Sequence, residues 1–198
     1  MIERLPRFAE LTLQGLCAEA GALCHRVDED ESGWDFLVEV PPEPFAGPAD
    51  THPPAKSAYV QVKSAQKGRL TCRLKLSNAL RAAQSPQPWF VLLVIAGARK
   101  ERVKLYAVHV WEDLMRRVLE AVRRAENRRR PLNRSWLTIR FGVADEKSDN
   151  LVSWMQQAID AAAPDYEQAK KSIYRTAGYD EVMGSDRSQL KPAAVRKF

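Results

Sequence analysis

Tyr59-Val60-Gln61-Val62-Lys63, residues 59–63, is the stretch on which the fold turns. Tyr and two Val residues suit a pleated surface, and strict alternation sends Tyr59, Gln61 and Lys63 to one face and Val60 and Val62 to the other. Gln61 and Lys63 therefore point the same way, about 6 to 7 Å apart. A face meant only for packing rarely carries such a pair, so something polar is expected over it. A second strand is expected over Trp34–Val40. It carries Asp35 among apolar neighbours just after a turn-like Asp28–Gly33, so one site shared by two strands is expected.

Working outward, residues 7–22 show apolar positions at helical spacing, with Gly21 as the local stop. Glu10 lies near the start of this helix. By itself it is an ordinary surface acid; it becomes a third oxygen ligand only if the helix crosses the strands bearing Asp35 and Gln61. A short strand, 22–27, precedes the acidic turn. Glu39 shares a face with Asp35 but lies about 13 Å along the strand, too far for both to hold one ion, and is a secondary candidate. Residues 41–54 are proline-rich and read as a loop inserted beside the site.

Beyond the site strand, 64–68 reads as a hairpin-like turn and 69–76 as a strand with Arg69, Arg73 and Lys75 on one face and Leu70, Cys72 and Leu74 on the other. That basic face suits either plain solvent exposure or a phosphate track. Ser77 is a candidate cap for a short helix over 78–83. Trp89–Ile95 is nearly all apolar, the pattern of a central strand covered on both faces. Another strand over 103–110 and a helix over 111–126 follow. Arg116, Arg117, Arg123, Arg124, Arg128, Arg129 and Arg130 crowd this helix and its end, so it has either a charged outer face or a backbone-contacting patch. A strand over 135–141 and a helix over 151–163 complete the core. Residues 1–163 are expected to form one domain, with 164–198 a helical or flexible extension leading toward a sensor domain.

Charge is unevenly spread. The first 50 residues hold 11 acids and 3 bases, whereas the remainder holds 14 acids and 28 bases. A clustered positive surface attracts phosphate backbones, which makes a polyanionic partner the natural one. Other classes are disfavoured. Cys17, Cys24 and Cys72 form neither a disulfide framework nor a zinc motif, which fits a reduced cytoplasm. No apolar run approaches a membrane span, no export signal opens the chain, and no glycine-rich loop could cradle a nucleotide phosphate.

Phosphodiester hydrolysis needs a divalent cation held by oxygen and gains from a cation facing developing charge. Asp35 offers the carboxylate, Gln61 an amide oxygen, Val62 its backbone carbonyl, Lys63 the ammonium, and Glu10 a further carboxylate. Magnesium is the expected ion, with manganese a substitute.

This arrangement resembles the restriction-endonuclease-like PD-(D/E)xK superfamily, in the subgroup whose middle acid is Gln. The matching segments are Gly33-Trp34-Asp35 and Gln61-Val62-Lys63, preceded by the helix containing Phe8-Ala9-Glu10, within residues 7–125. The resemblance implies an α/β fold with a central mixed β-sheet flanked by helices. It also implies metal binding by Asp35, Glu10 and the residue at Gln61, with Lys63 assisting hydrolysis of double-stranded DNA. The Val-Gln-Val-Lys-Ser context is similar to nuclease modules of bacterial antiphage systems, which implies control by homo-oligomerisation or by a sensor domain or protein. Two departures bear on the site: Gln61 carries no charge, and the proline-rich insertion separates Asp35 from Gln61.

Overall fold

The computed structural model describes residues 2–27, 33–42, 46–52, 54–66, 68–96, 103–162 and 165–176. Residues 28–32 of the turn expected over Asp28–Gly33, residues 97–102 and the segment from 177 onward lie outside the described residues. Among the described residues, five α-helices and seven strands run in the order α1 (Leu5–Glu19), β1 (Leu23–Arg26), β2 (Phe36–Val40), β3 (Lys56–Gln66), β4 (Thr71–Lys75), α2 (Leu76–Gln84), β5 (Trp89–Ala96), β6 (Lys104–His109), α3 (Glu112–Asn127), β7 (Trp136–Arg140), α4 (Leu151–Ala162) and α5 (Tyr166–Thr176).

The main sheet has the order β1-β2-β3-β5-β6. Neighbours are antiparallel except β3 and β5, which run parallel from Tyr59 opposite Trp89 to Gln66 opposite Ala96. A parallel pair needs a long crossover, here supplied by β4 and α2. Strand alternation divides the core. Ala58, Val60 and Val62 face the layer of α1 and α4, with Phe90, Leu92 and Val94 beside them. Trp89, Val91, Leu93 and Ile95 face the opposite layer of α2, α3, β4 and β7. The apolar β5 is thus covered on both faces, as its composition requires.

Two local expectations are corrected. Residues 64–66 do not turn: β3 runs on to Gln66 beside β5, and β4 leaves the sheet to pair with β7. The position beside β3 is buried on both faces, and β4, with its basic alternate residues, can bury only one. Likewise α2 begins at Leu76, ahead of Ser77. Leu76 is almost fully buried and its amide donates to the Ser135 carbonyl at 2.9 Å, so tertiary packing supplies what a cap would have done.

Helix ends follow local chemistry. At the end of α1, Gly21 takes φ 70°, the Ala22 amide donates to the Cys17 carbonyl and the Gly21 amide to the Ala18 carbonyl. This is the paired closing pattern in which Gly suits the left-handed residue. The end of α3 repeats it with Arg129 at φ 52°, the Arg130 amide on Ala125 and the Arg129 amide on Glu126.

Helix α5 docks on the core through Lys170, which is 2% exposed and donates to the carbonyls of Ala82 and Gln87 at 2.9 and 3.0 Å. Burial pulls its ammonium down to about 7. Beside it, His109 is stacked between Phe90 and Trp111 and hydrogen-bonded to the Tyr166 hydroxyl at 2.7 Å. Burial, aided by the Lys170 charge, drives this imidazole down to about 3, so it is neutral at physiological pH. No helix among the described residues is long and apolar enough to cross a membrane.

Candidate active site and basic groove

The site is built where β2 begins. Gly33 has φ 80°, and a Cβ there would lie 2.7 Å from Cγ of Asn78 on α2, so only glycine lets the chain pass. Trp34 then stacks on Tyr59 at 4.2 Å between centroids, and Tyr59 meets Trp89 edge-on at 5.4 Å. These contacts deliver Asp35 to the position just ahead of β2. Its amide donates to the Val60 carbonyl at 3.0 Å, its carbonyl accepts from Val27 at 3.1 Å, and Oδ2 accepts from the Val62 amide at 2.6 Å.

Strand β2 pairs with β3 from Val40 opposite Lys56 to Phe36 opposite Val60. Beyond Val60, β3 continues to Gln66 with β5 on one side and, among the described residues, no strand on the other. The Asp35 carboxylate occupies the first place along this open edge. In a strand the N–H and C=O of one residue point to the same edge, so the Val62 carbonyl also opens toward Asp35. Gln61 is 5% exposed and, among the described residues, nothing hydrogen-bonds its side-chain amide. Asp35 and the adjacent Val62 and Gln61 thus offer one carboxylate, one backbone carbonyl and one amide oxygen near the middle of β3, just past its last pairing with β2. Hard oxygen donors with a single carboxylate fit a magnesium-class ion that keeps several waters. Among the described residues there is no group of three or more His, Cys, Asp or Glu side chains that could hold a metal.

Lys63 lies two residues further along and is half-buried. It lines a cleft of about 640 Å³ together with Leu5, Arg69 and Arg73. Burial pushes the neighbouring Cys72 thiol up to about 11, with the Lys63 ammonium acting in the opposite sense. Among the described residues no carboxylate lines this cleft, so Lys63, Arg69 and Arg73 give it a positive field.

Glu10 sits differently. Ala9, Leu13 and Cys17 turn α1 toward the face opposite Gln61 and Lys63. The Glu10 carboxylate is held by Arg7 at 2.9 Å and Arg26 at 3.5 Å, so its polar contacts among the described residues are these two arginines. Glu39 is opposite Ser57 and pairs with His25 at 3.5 Å, away from the open edge.

The basic residues separate into groups. The β4–β7 ribbon turns Arg73 and Lys75 outward beside Trp136, Thr138 and Arg140, while Cys72, Leu74, Leu137 and Ile139 go inward. A groove of about 700 Å³ runs between this ribbon and α3, lined by Arg73, Arg124, Arg128, Arg130 and Arg134 with Trp136. Arg117 points elsewhere, donating to the Thr138 carbonyl at 3.0 Å and lining a separate cavity with His109. Arg116, Arg123 and Arg129 do not line the groove. Arg134 and Trp136 are additions; the strand alternation of Trp-Leu-Thr-Ile-Arg, 136–140, could have revealed Trp136, since it sets that residue on the polar face, whereas Arg134 lies in the turn before the strand.

No protein-family model matches the chain, and no curated protein shows significant similarity to it.

Proposed function

We propose that this chain is a metal-dependent nuclease of the PD-(D/E)xK type that hydrolyses DNA phosphodiester bonds. The observation that carries this is the 2.6 Å hydrogen bond from the Val62 amide to the Asp35 carboxylate. It brings Asp35 against a strand amide 27 positions later, between Gln61 and Lys63 in sequence, and Lys63 lines a cleft with Arg69 and Arg73. The order α1, three antiparallel strands, a helix-containing crossover and a parallel fourth strand also supports a restriction-endonuclease-like core.

In this mechanism Asp35, the Val62 carbonyl and Gln61 would hold magnesium, or manganese in its place. When bound, that ion polarises the phosphate and lowers the pKa of the attacking water. Asp35 orients its carboxylate through the Val62 amide. Lys63 faces the charge that builds on the phosphate as water attacks phosphorus and the P–O bond to the leaving oxygen breaks. Arg69 and Arg73 hold the flanking phosphates. Glu10 joins the site only by exchanging its arginine partners for the ion. An antiphage effector role, with activity gated by self-association or a sensor partner, follows from the same resemblance.

A second reading is a DNA-binding domain without hydrolytic activity. It is favoured by the neutral Gln61 and by the pairing of Glu10 with Arg7 and Arg26. Incubating the full chain with supercoiled plasmid and linear DNA, with magnesium, with manganese and with chelator, separates the two. Ion-dependent cutting that Lys63→Ala abolishes is expected. DNA binding without cutting, across all oligomeric states tested, would select the second reading.

A further inference from the structure

We infer that the groove between α3 and the β4–β7 ribbon holds an unpaired DNA strand and leads it to the Lys63 cleft; this rests on the nuclease reading for the destination of the strand. Five arginines line the groove and, among the described residues, no carboxylate does. Arg124 is the partly neutralised one, with Glu120 at 3.7 Å. The charge matches a phosphate backbone, and its path is continuous with the candidate site because Arg73 lines both the groove and the Lys63 cleft.

The aromatic residue decides between strand types. Trp136 is 48% exposed on an outward-facing ribbon, and the Arg73 guanidinium lies 5.0 Å from its ring centroid. An indole that packs no core but is held by a cation on its ring offers a stacking surface. Bases of a duplex are already stacked on one another, whereas an unpaired base presents a free π-face. A positive groove with an aromatic platform is the combination that recognises single strands. Alternation explains how the ribbon makes it: Leu74, Leu137 and Ile139 anchor the inner face, leaving Arg73 and Trp136 on a rigid outer one.

The test uses the full chain in chelator, so that binding is read without cutting. The probes are a fluorescein-labelled single-stranded DNA of about 12 nucleotides and a blunt duplex of the same sequence, followed by anisotropy. Trp136→Ala is expected to weaken single-strand binding about tenfold, near one stacked base, and to change duplex binding less than about twofold, with Trp136→Phe restoring most of the affinity. Replacing Arg128, Arg130 and Arg134 by Gln is expected to flatten the salt dependence of single-strand binding by about 0.7 in log–log slope for each phosphate no longer neutralised. Because Trp136 is half-exposed, thermal melts should match the parent. Equal weakening for both probes, or no weakening for either, overturns the inference. Cleavage is scored separately with magnesium: a cutting enzyme indifferent to Trp136 loses the groove alone, while an inert protein with the Trp136-dependent preference loses only the nuclease reading.

Discussion

The Asp35 carboxylate and the Val62 amide, 2.6 Å apart, satisfy the first open position along β3 after β2 has ended. Under the proposed function the same contact serves stability and chemistry, and substitutions at Asp35 can separate the two. Asp35→Ala leaves a strand amide without its acceptor and is expected to cost about 1–3 kcal/mol. Asp35→Asn retains an oxygen acceptor, so its melting temperature should stay near that of the parent. Both should lose ion-dependent cutting. Thermal melts beside a plasmid assay check this, and full cleavage by Asp35→Asn would remove Asp35 from the reaction.

Lys63→Ala is expected to lower cleavage by at least about 100-fold with little change in melting temperature. The side chain is half-buried in a positive cleft and makes no ion pair among the described residues, so its removal relieves rather than creates unpaired charge. DNA binding should survive, because Arg69 and Arg73 remain. Single-turnover cleavage and anisotropy on the same preparation are the measurements. A variant that cuts at the parent rate would show Lys63 to be a wall of the cleft and nothing more.

Arg129 occupies at the end of α3 the left-handed position that Gly21 occupies at the end of α1. An L side chain with a Cβ is disfavoured there by roughly 1–2 kcal/mol. Arg129→Gly should therefore raise the melting temperature by about 2–8 °C. As Arg129 does not line the arginine groove, single-strand affinity should fall only slightly. A lower melting temperature would mean that the Arg129 side chain makes a stabilising interaction worth more than the strain.

Lys170 gives a pH signature. Its folded-state pKa is lowered by burial to about 7 from 10.5. Between those values the unfolded chain binds a proton that the folded chain does not, so stability rises with pH across that window and is flat below it. Lys170→Met lacks this titration. The stability of the parent relative to Lys170→Met should grow from pH 7 toward pH 10, by an amount on the order of a few kcal/mol. Denaturant titrations of both proteins at several pH values measure it. A constant difference would mean that the two backbone carbonyls hold Lys170 charged throughout.

Much of the site strand was legible. Tyr59 to Lys63 alternates as strictly in space as in sequence, and Trp89 to Ile95 is central because nothing in it could face water. Gly21 ends α1 because a left-handed residue is cheapest without a Cβ. The basic alternation of Arg73 and Lys75 likewise gave their outward direction. The hairpin expected at 64–68 was not legible, since the local turn signal of Gly68 carries no information about which strand claims the edge of β3.

By itself, then, the sequence determined which faces are apolar, where most strands and helices fall, and that Gln61 and Lys63 point together, because these follow from periodicity over a few residues. Only the tertiary structure decided the partners. β4 found β7, some 65 positions away, since that pairing exposes one face. Glu10 was taken by Arg7 and Arg26, and Lys170 was buried because carbonyls 88 and 83 positions back accept its protons. Trp136 met Arg124 of α3 and the arginines that follow it, at 128, 130 and 134, across a groove that neither segment encodes alone. Each is a long-range choice set by burial and by hydrogen-bond satisfaction of the whole chain, which no local pattern records.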